Sequence, residues 1–280
     1  MKRKRLILNT AYYVLVTVGM FLMLYPIFWM VGSSFKDNSE IFVDAYRLIP
    51  REFLFSNYVE GWRGFAGVGF GTFFRNSFVI ATATTIGQVM SSALIAYGFA
   101  RIKFKGRNIL FAVMMVTLLV PAQVLIVPQY ILFSNLGWIN TFKPLIVPSF
   151  FGAPFFIFLI MQFIRGIPNE LDEAARIDGC GRLGMFFKIM LPLIKPALIT
   201  SGIFAFYWSW DNFMAPLLYL QRVRLFPVSV ALQMFSDPST VTNWGAMFAM
   251  STLSFIPQFI LFIIFQKYIV QGISTSGLKG

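Results

Sequence analysis

Six stretches of this sequence lack Lys, Arg, Asp and Glu over much or all of the length that crosses a bilayer. They run from Leu6 to Phe35, Asn76 to Ala100, Asn108 to Phe142, Pro144 to Ile164, Pro196 to Trp210, and Pro238 to Gln266; the fifth continues past Asp211 to Gln221. A hydrocarbon core of about 30 Å needs about 20 largely apolar helical residues. Inside that core an open chain satisfies its backbone N–H and C=O groups only as a helix. The expectation is therefore an all-α, polytopic membrane protein with six transmembrane helices, near 11–32, 74–98, 109–131, 145–164, 197–219 and 246–266.

Composition agrees with this. The chain is 58% hydrophobic and only 12% charged, against about 25% charged in soluble domains. Its net charge of +12 would suit a nucleic acid, but the basic residues are scattered between apolar runs and form no single patch, so no nucleic-acid partner is expected. There is no His, and Cys180 is the sole Cys. This excludes disulfides within the chain, Cys/His metal sites, and Ser–His or Cys–His nucleophiles. No G-x-x-x-x-G-K-[ST] loop occurs, so the chain has no P-loop for ATP and Mg, and no cofactor of its own is expected.

The N-terminal "MKRKR" before an apolar run imitates a signal peptide. The run is too long for a signal h-region and lacks an A-x-A site, which favours an uncleaved first span. Basic flanks set the orientation. With the N-terminus cytoplasmic, the inner segments hold fifteen Lys and Arg, from Lys2, Arg3, Lys4 and Arg5 through Arg101 to Lys267 and Lys279. The outer segments hold eight: Lys36, Arg47, Arg51, Arg63, Arg75, Lys143, Arg222 and Arg224. Both termini are expected in the cytoplasm of a cell whose inner membrane the chain spans.

Two local features stand out among the apolar runs. Pro121 and Pro128 interrupt the third, and each removes a backbone donor. Either the span ends near Pro128 and turns at the outer surface, or a kink lines a wet cavity, since broken membrane helices survive only where protein or water covers them. Gly64, Gly67, Gly69 and Gly71 cluster before the second span and read as a flexible loop rather than a helix-packing face.

The segment "ELDEAARIDGCGRLGMFFKIMLP", Glu170 to Pro192, differs from everything around it. Asn169 is placed to cap a short helix, with Asp172 three residues on as in a capping box. Glu170, Asp172 and Glu173 fill the first turn, where the helix dipole favours acids. Leu171, Ala174 and Ala175 share one face, and Gly179 and Gly181 supply the stop and turn. A second short helix follows, with Leu183, Phe186, Phe187 and Met190 at i, i+3, i+4, i+7, ended by Pro192 and Pro196. Small Ala174 and Ala175 beside Glu173 suit docking by another protein. The alternative is an interfacial helix on lipid, but such helices are basic on their polar face.

The residues "EAARIDGCGRLGMFFKIMLP" resemble the EAA signature of ABC importer membrane subunits, through Glu173, Ala174, Ala175, Gly179, Ile189, Leu191 and Pro192. "VPAQVLIVPQYILFSNLGWINT", "WDNFMAPLLYL" and "GISTSGLKG" are similar to the carbohydrate importer permeases of the MalG type. The resemblance implies a MetI-like, type I ABC importer permease fold that moves a mono- or oligosaccharide inward. It implies that the segment near 168–191 is a coupling helix seated on a cytosolic ATPase, with Glu173, Ala174, Ala175, Gly179, Arg182 and Leu183 carrying the contact. It further implies that the tail, through Gly277 and Lys279, reaches the ATPase dimer. The implied partners are a dimer of ABC ATPases that binds ATP and Mg, a second, MalF-like permease, and an extracytoplasmic solute-binding protein. Residues 1–70 would form the first span and outer loop, 71–267 the permease core, and 268–280 the tail.

Asp211 is the one acidic residue inside an apolar run. It reads either as a structural acceptor fixing the fifth span to a neighbour, or as a cavity-lining group near the outer gate with Trp210 and Asn212. With Gln123 these are the candidates for the substrate pathway. Three rivals remain open on sequence. A glycerol phosphate ester could be the solute, although the spans hold no basic residue for it. A stand-alone secondary transporter would need a relay of intramembrane charges, and Asp211 alone qualifies. A scaffold that transports nothing would leave the EAA signature without a purpose.

Overall fold

The computed structural model describes residues 2–235 and 243–277. Among these the chain is helical, apart from turns and an isolated bridge between Phe65 and Val68. The helices are α1 (Lys2–Ser33), α2 (Asn38–Val43), α3 (Ser56–Arg63), α4 (Phe70–Arg101), α5 (Arg107–Thr117), α6 (Ile126–Asn135), α7 (Lys143–Ile146) and α8 (Pro154–Arg165). They continue as α9 (Glu170–Ile177), α10 (Arg182–Met185), α11 (Leu191–Leu193), α12 (Lys195–Trp210), α13 (Met214–Tyr219), α14 (Val228–Phe235) and α15 (Trp244–Gly277). Four segments are long and apolar enough to cross a membrane: Leu8–Ser33, Phe70–Arg101, Lys143–Arg165 and Trp244–Lys267. Two bent pairs, Arg107–Thr117 with Ala122–Asn135 and Arg182–Leu193 with Lys195–Trp210, raise the number to as many as six.

The bent pairs correct two sequence expectations. The third span does not run straight to Pro128. Its first helix ends at Thr117, and the chain bends by 95° before Ala122–Asn135 continues the run, so the run is kinked, as the second alternative had it. Pro121 sits in the break with extended backbone (φ −60°, ψ 130°), whereas Pro128 lies inside α6. Pro128 is the third residue of that helix, where its missing N–H would have had no intrahelical partner, so the helix keeps it at little cost. The fifth span stops at Trp210, where 197–219 was expected. Asp211 caps it, and α13 resumes only at Met214.

Pro192 also behaves differently from expectation. The helix passes through it, because residues Phe186–Met190 form a π turn in which Leu191 N–H bonds to Phe186 C=O. The wider turn makes room for a proline ring that would clash with the carbonyl four residues back in a regular helix. The bend of 78° comes after Leu193, ahead of Lys195 and Pro196. The glycine loop, for its part, contains a defined turn: Phe65 and Val68 exchange backbone hydrogen bonds of 3.2 and 2.9 Å.

The chain divides into two compact units. The first comprises Met1–Gly71 and Ala231–Ile256. Most of α1 is exposed along its length, as a lipid- or partner-facing helix would be. Below it, Asn57 is buried and its amide donates to the carbonyls of Ser34 and Lys36 at 3.0 and 2.8 Å. Asn38 Oδ1 accepts from Trp244 N–H at 2.9 Å and so caps α15. Gly245 permits this approach: a Cβ there would fall 2.4 Å from Asn57 Nδ2.

The second unit comprises Thr72–Val230 and Pro257–Gly280. Its core gathers Ala93, Ala96 and Tyr97 of α4, Phe156, Ile160 and Ile164 of α8, Ala175 of α9, and Met185, Phe186, Met190 and Ile194 of the following helical run.

Candidate functional site

The segment between α8 and α12 is held in place from its apolar side. Ala175, Met185, Phe186 and Met190 are buried in the core. Phe186 packs its ring against Tyr97 at 5.3 Å, and Tyr97 Oη donates to Arg182 C=O at 3.3 Å. The expected face of Leu171, Ala174 and Ala175 is therefore divided: Ala175 points inward, while Leu171 and Ala174 are exposed. The stripe Leu183–Phe186–Phe187–Met190 divides in the same way, with Leu183 and Phe187 outside.

The exposed side is apolar with an acidic edge. Leu171, Ala174, Ile177, Leu183 and Phe187 are all solvent-facing, Ile177 at 87%. Glu170 and Glu173 stand beside them, as does Arg182. A row of exposed apolar side chains edged by charged ones suits contact with another protein. Sequence spacing named Phe187 but missed Ile177. Ile177 follows Leu171 and Ala174 at i+3 steps, and that signal was available.

The turn after α9 is as expected. Gly179 has φ +75°, a conformation in which a Cβ is strained. Cys180 N–H bonds to Ala175 C=O at 2.9 Å, and Gly179 N–H to Arg176 C=O at 3.0 Å, which closes the helix.

The start of α9 is not as expected. Asn169 is in the α region (φ −76°, ψ −18°) and makes no side-chain cap, so no capping box forms with Asp172. Both side chains are committed elsewhere. Asn169 Oδ1 accepts from Arg101 Nη1, and Asp172 Oδ2 lies 3.3 Å from Arg101 Nε. The guanidinium also donates to Ile164 C=O at 2.9 Å and to Ile167 C=O. Arg101 and Asp172 side chains are only 7% and 8% exposed. A charge buried this far needs its partner, and removing one member of such a pair costs about 3–5 kcal/mol. Arg101 also sits at the last carbonyls of α8, where the helix dipole favours a cation. On sequence Arg101 counted only as an inner-flank charge; the tertiary fold makes it the hub of this corner.

The pathway candidates occupy the break after α12. Trp210 is buried, stacked on Phe206 at 5.5 Å and edge-on to Phe78 at 4.9 Å. Asp211 is exposed and its Oδ1 accepts from Gln258 Nε2 at 2.8 Å. Gln258 is itself buried, and its carbonyl accepts from Tyr207 Oη at 2.6 Å. Asn212 Oδ1 accepts from Ala215 N–H at 3.3 Å, and Asn212 C=O from Ser229 Oγ at 2.8 Å. Asp211 thus joins α12 to α15, as a structural acceptor would, and is itself exposed. Gln123 is exposed on the separate turn Ala122–Leu125. In the tail, α15 continues to Gly277, whereas Lys279 lies outside the described residues.

Comparison with known proteins fits this architecture. The family model described as the inner membrane component of binding-protein-dependent transport systems matches residues 88–275. A probable ABC transporter permease protein, YurM of Bacillus subtilis (strain 168), is 36% identical over 280 residues, covering 100% of this chain and 91% of that protein. The arabinooligosaccharides transport system permease protein AraQ of Halalkalibacterium halodurans is 33% identical, covering 95% of this chain and 96% of that protein. Among solved structures, a bacterial ABC transporter involved in import of the acidic polysaccharide alginate superposes with a TM-score of 0.83, covering 95% of this chain and 98% of that one. At 23% identity it speaks for the fold alone. The relatives are permease subunits, not enzymes, and the chain belongs to the family of inner membrane components of binding-protein-dependent transport systems, as a multi-pass permease that works within a transporter complex.

Proposed function

We propose that this permease moves a mono- or oligosaccharide into the cytoplasm, driven by a separate ATPase that docks on α9 and the run that follows. The observation that carries the substrate class is the full-length likeness to an arabinooligosaccharide permease, at 33% identity over 272 residues. The docking site is supported by the exposed row of Ala174, Ile177 and Leu183 edged by Glu173 and Arg182. Ala175 anchors α9 from behind and Gly179 sets the turn.

In this reading both termini are cytoplasmic. Residues 71–267 are the translocation core, and the tail after 267, with Gly277 and Lys279, reaches the ATPase dimer. A second, MalF-like permease and an extracytoplasmic solute-binding protein complete the assembly. Trp210, Asp211, Asn212 and Gln123 belong to the pathway. Trp210 lies behind its surface, and exposed Asp211 and Asn212 offer acceptors for sugar hydroxyls.

The reading is tested in two parts. Replacing Glu173 with Lys should leave membrane insertion intact and lower ATPase copurification at least fivefold; unchanged recovery refutes the dock. For substrate, the reconstituted complex with its binding protein should take up labelled arabinotriose in preference to sn-glycerol 3-phosphate. The reverse preference would move the chain to the glycerol phosphate esters.

A further inference from the structure

We propose that Arg101 is a brace that makes α4 and α9 move as one body. Displacement of α9 then reaches the membrane spans and is not absorbed in the turn before it. This rests on α9 being the ATPase dock.

α9 is only weakly tied by its own chain. It has eight residues, too few to be stable alone. Gly166 precedes it, and Gly179 and Gly181 follow it. A push on a short helix slung between glycine turns would bend the turns first, because glycine backbones resist rotation least. Ala175 anchors α9 in the core, but a single methyl resists tilting poorly.

Arg101 removes that slack. It is the last residue of α4, a 32-residue helix. From there its guanidinium reaches the end of α8 at Ile164 C=O, the turn at Ile167 C=O, the entry to α9 at Asn169 Oδ1, and the first turn of α9 at Asp172. One planar group therefore spans four points on three elements. A lysine could not do this, since its ammonium is a point donor without a fixed fork. The joint also retains capacity. Arg101 Nε and Asp172 Oδ1 are buried and make no hydrogen bond, so the ion pair can close into a bonded one as α9 is pressed inward. Tyr97, one turn back on α4, adds a second tie through its bond to Arg182 C=O.

The test measures rigidity directly. Spin labels are placed on α4 at Leu94→Cys and beside α9 at Asp178→Cys, both exposed positions, in a Cys180→Ser background. The assembled transporter is studied in proteoliposomes, without nucleotide and trapped with ATP and vanadate. With Arg101 present, the distance distribution should be narrow and the same in both states. In Arg101→Met it should at least double in width or shift on trapping, and Arg101→Lys should lie between. If Arg101→Met does not assemble, Asp172→Asn, which keeps the bonds to Asn169 and the two carbonyls, is expected to broaden likewise. A narrow, nucleotide-insensitive distribution in the variant overturns the brace, as does a parent whose distance itself changes on trapping. The dock is judged separately, by cross-linking Ala174→Cys to the ATPase. Loss of that cross-link removes the dock while leaving the distance measurement to decide whether Arg101 couples the two helices.

Discussion

Asp172 and Asp211 both sit at helix ends beside apolar spans, and the protein handles them in opposite ways. Asp172 is buried and set against the Arg101 guanidinium. Asp211 is exposed and bonded to the neutral amide of Gln258. Out of water, a carboxylate needs an opposite charge to offset its lost hydration. Where water still reaches it, one amide donor is enough. The corner with Asp172 is thus expected to be stiff, and the corner with Asp211 to stay wet.

The largest expected effect tests the stiff corner. Arg101→Met should lower stability by about 3–5 kcal/mol, because it strands the buried Asp172 carboxylate. Thermal unfolding in detergent checks this. If Asp211→Leu proves equally costly, the distinction between the two corners collapses.

The wet corner should respond less and in a graded way. Asp211→Leu removes the acceptor of a buried amide and should cost about 1–3 kcal/mol. Asp211→Asn keeps an acceptor and should fall within about 0.5 kcal/mol of the parent. Its water contact is checked by Asp211→Cys in a Cys180→Ser background, which should react with a small water-soluble thiol reagent. Absence of labelling in every nucleotide state would make this corner as dry as the other.

Gly179→Leu sharpens the comparison from the backbone side. At φ +75° a side chain costs about 1–2 kcal/mol, and the distorted turn should also lower ATPase copurification. Full ATPase recovery would show that the orientation of α9 is set by Arg101 alone.

A modest effect belongs to an exposed carboxylate far from both corners in the sequence. Asp37 Oδ1 accepts from Glu40 N–H and Ser39 Oγ, both at 2.8 Å, at the start of α2. These bonds hold its carboxyl below the ordinary value of 3.8, chiefly through the Glu40 N–H and then the Ser39 hydroxyl. A lowered folded-state value means the stabilisation is present above the ordinary value and disappears as pH falls through the folded one. Asp37→Ala should cost about 1 kcal/mol at neutral pH, and parent and variant melting curves should converge in acid below pH 3.8.

Legibility in the sequence followed the range of the interactions involved. Four of the spans could be read because a bilayer imposes one length and one composition on each. Gly179 could be read because its conformational need is local. The ends of the third and fifth spans could not. Pro121 and Pro128 look alike in a string of letters, and only the position of each within a helix decides which one breaks it. Asn169 and Asp172 carried a valid local pattern for a cap, and a distant guanidinium outcompeted it.

The sequence alone determined that this chain crosses a membrane several times, lacks its own ATP loop, and carries one charged, glycine-broken segment with a transport signature. Those properties depend on composition and spacing, which the bilayer and the short helix read residue by residue. Tertiary structure decided that Arg101, 71 positions from Asp172 by their numbers, meets it in a buried corner where α4, α8 and α9 converge. It also decided that Asp211 bonds to Gln258 across 47 residues. Such pairings depend on which helix ends the packed core brings together, and a buried charge takes whichever partner that geometry delivers.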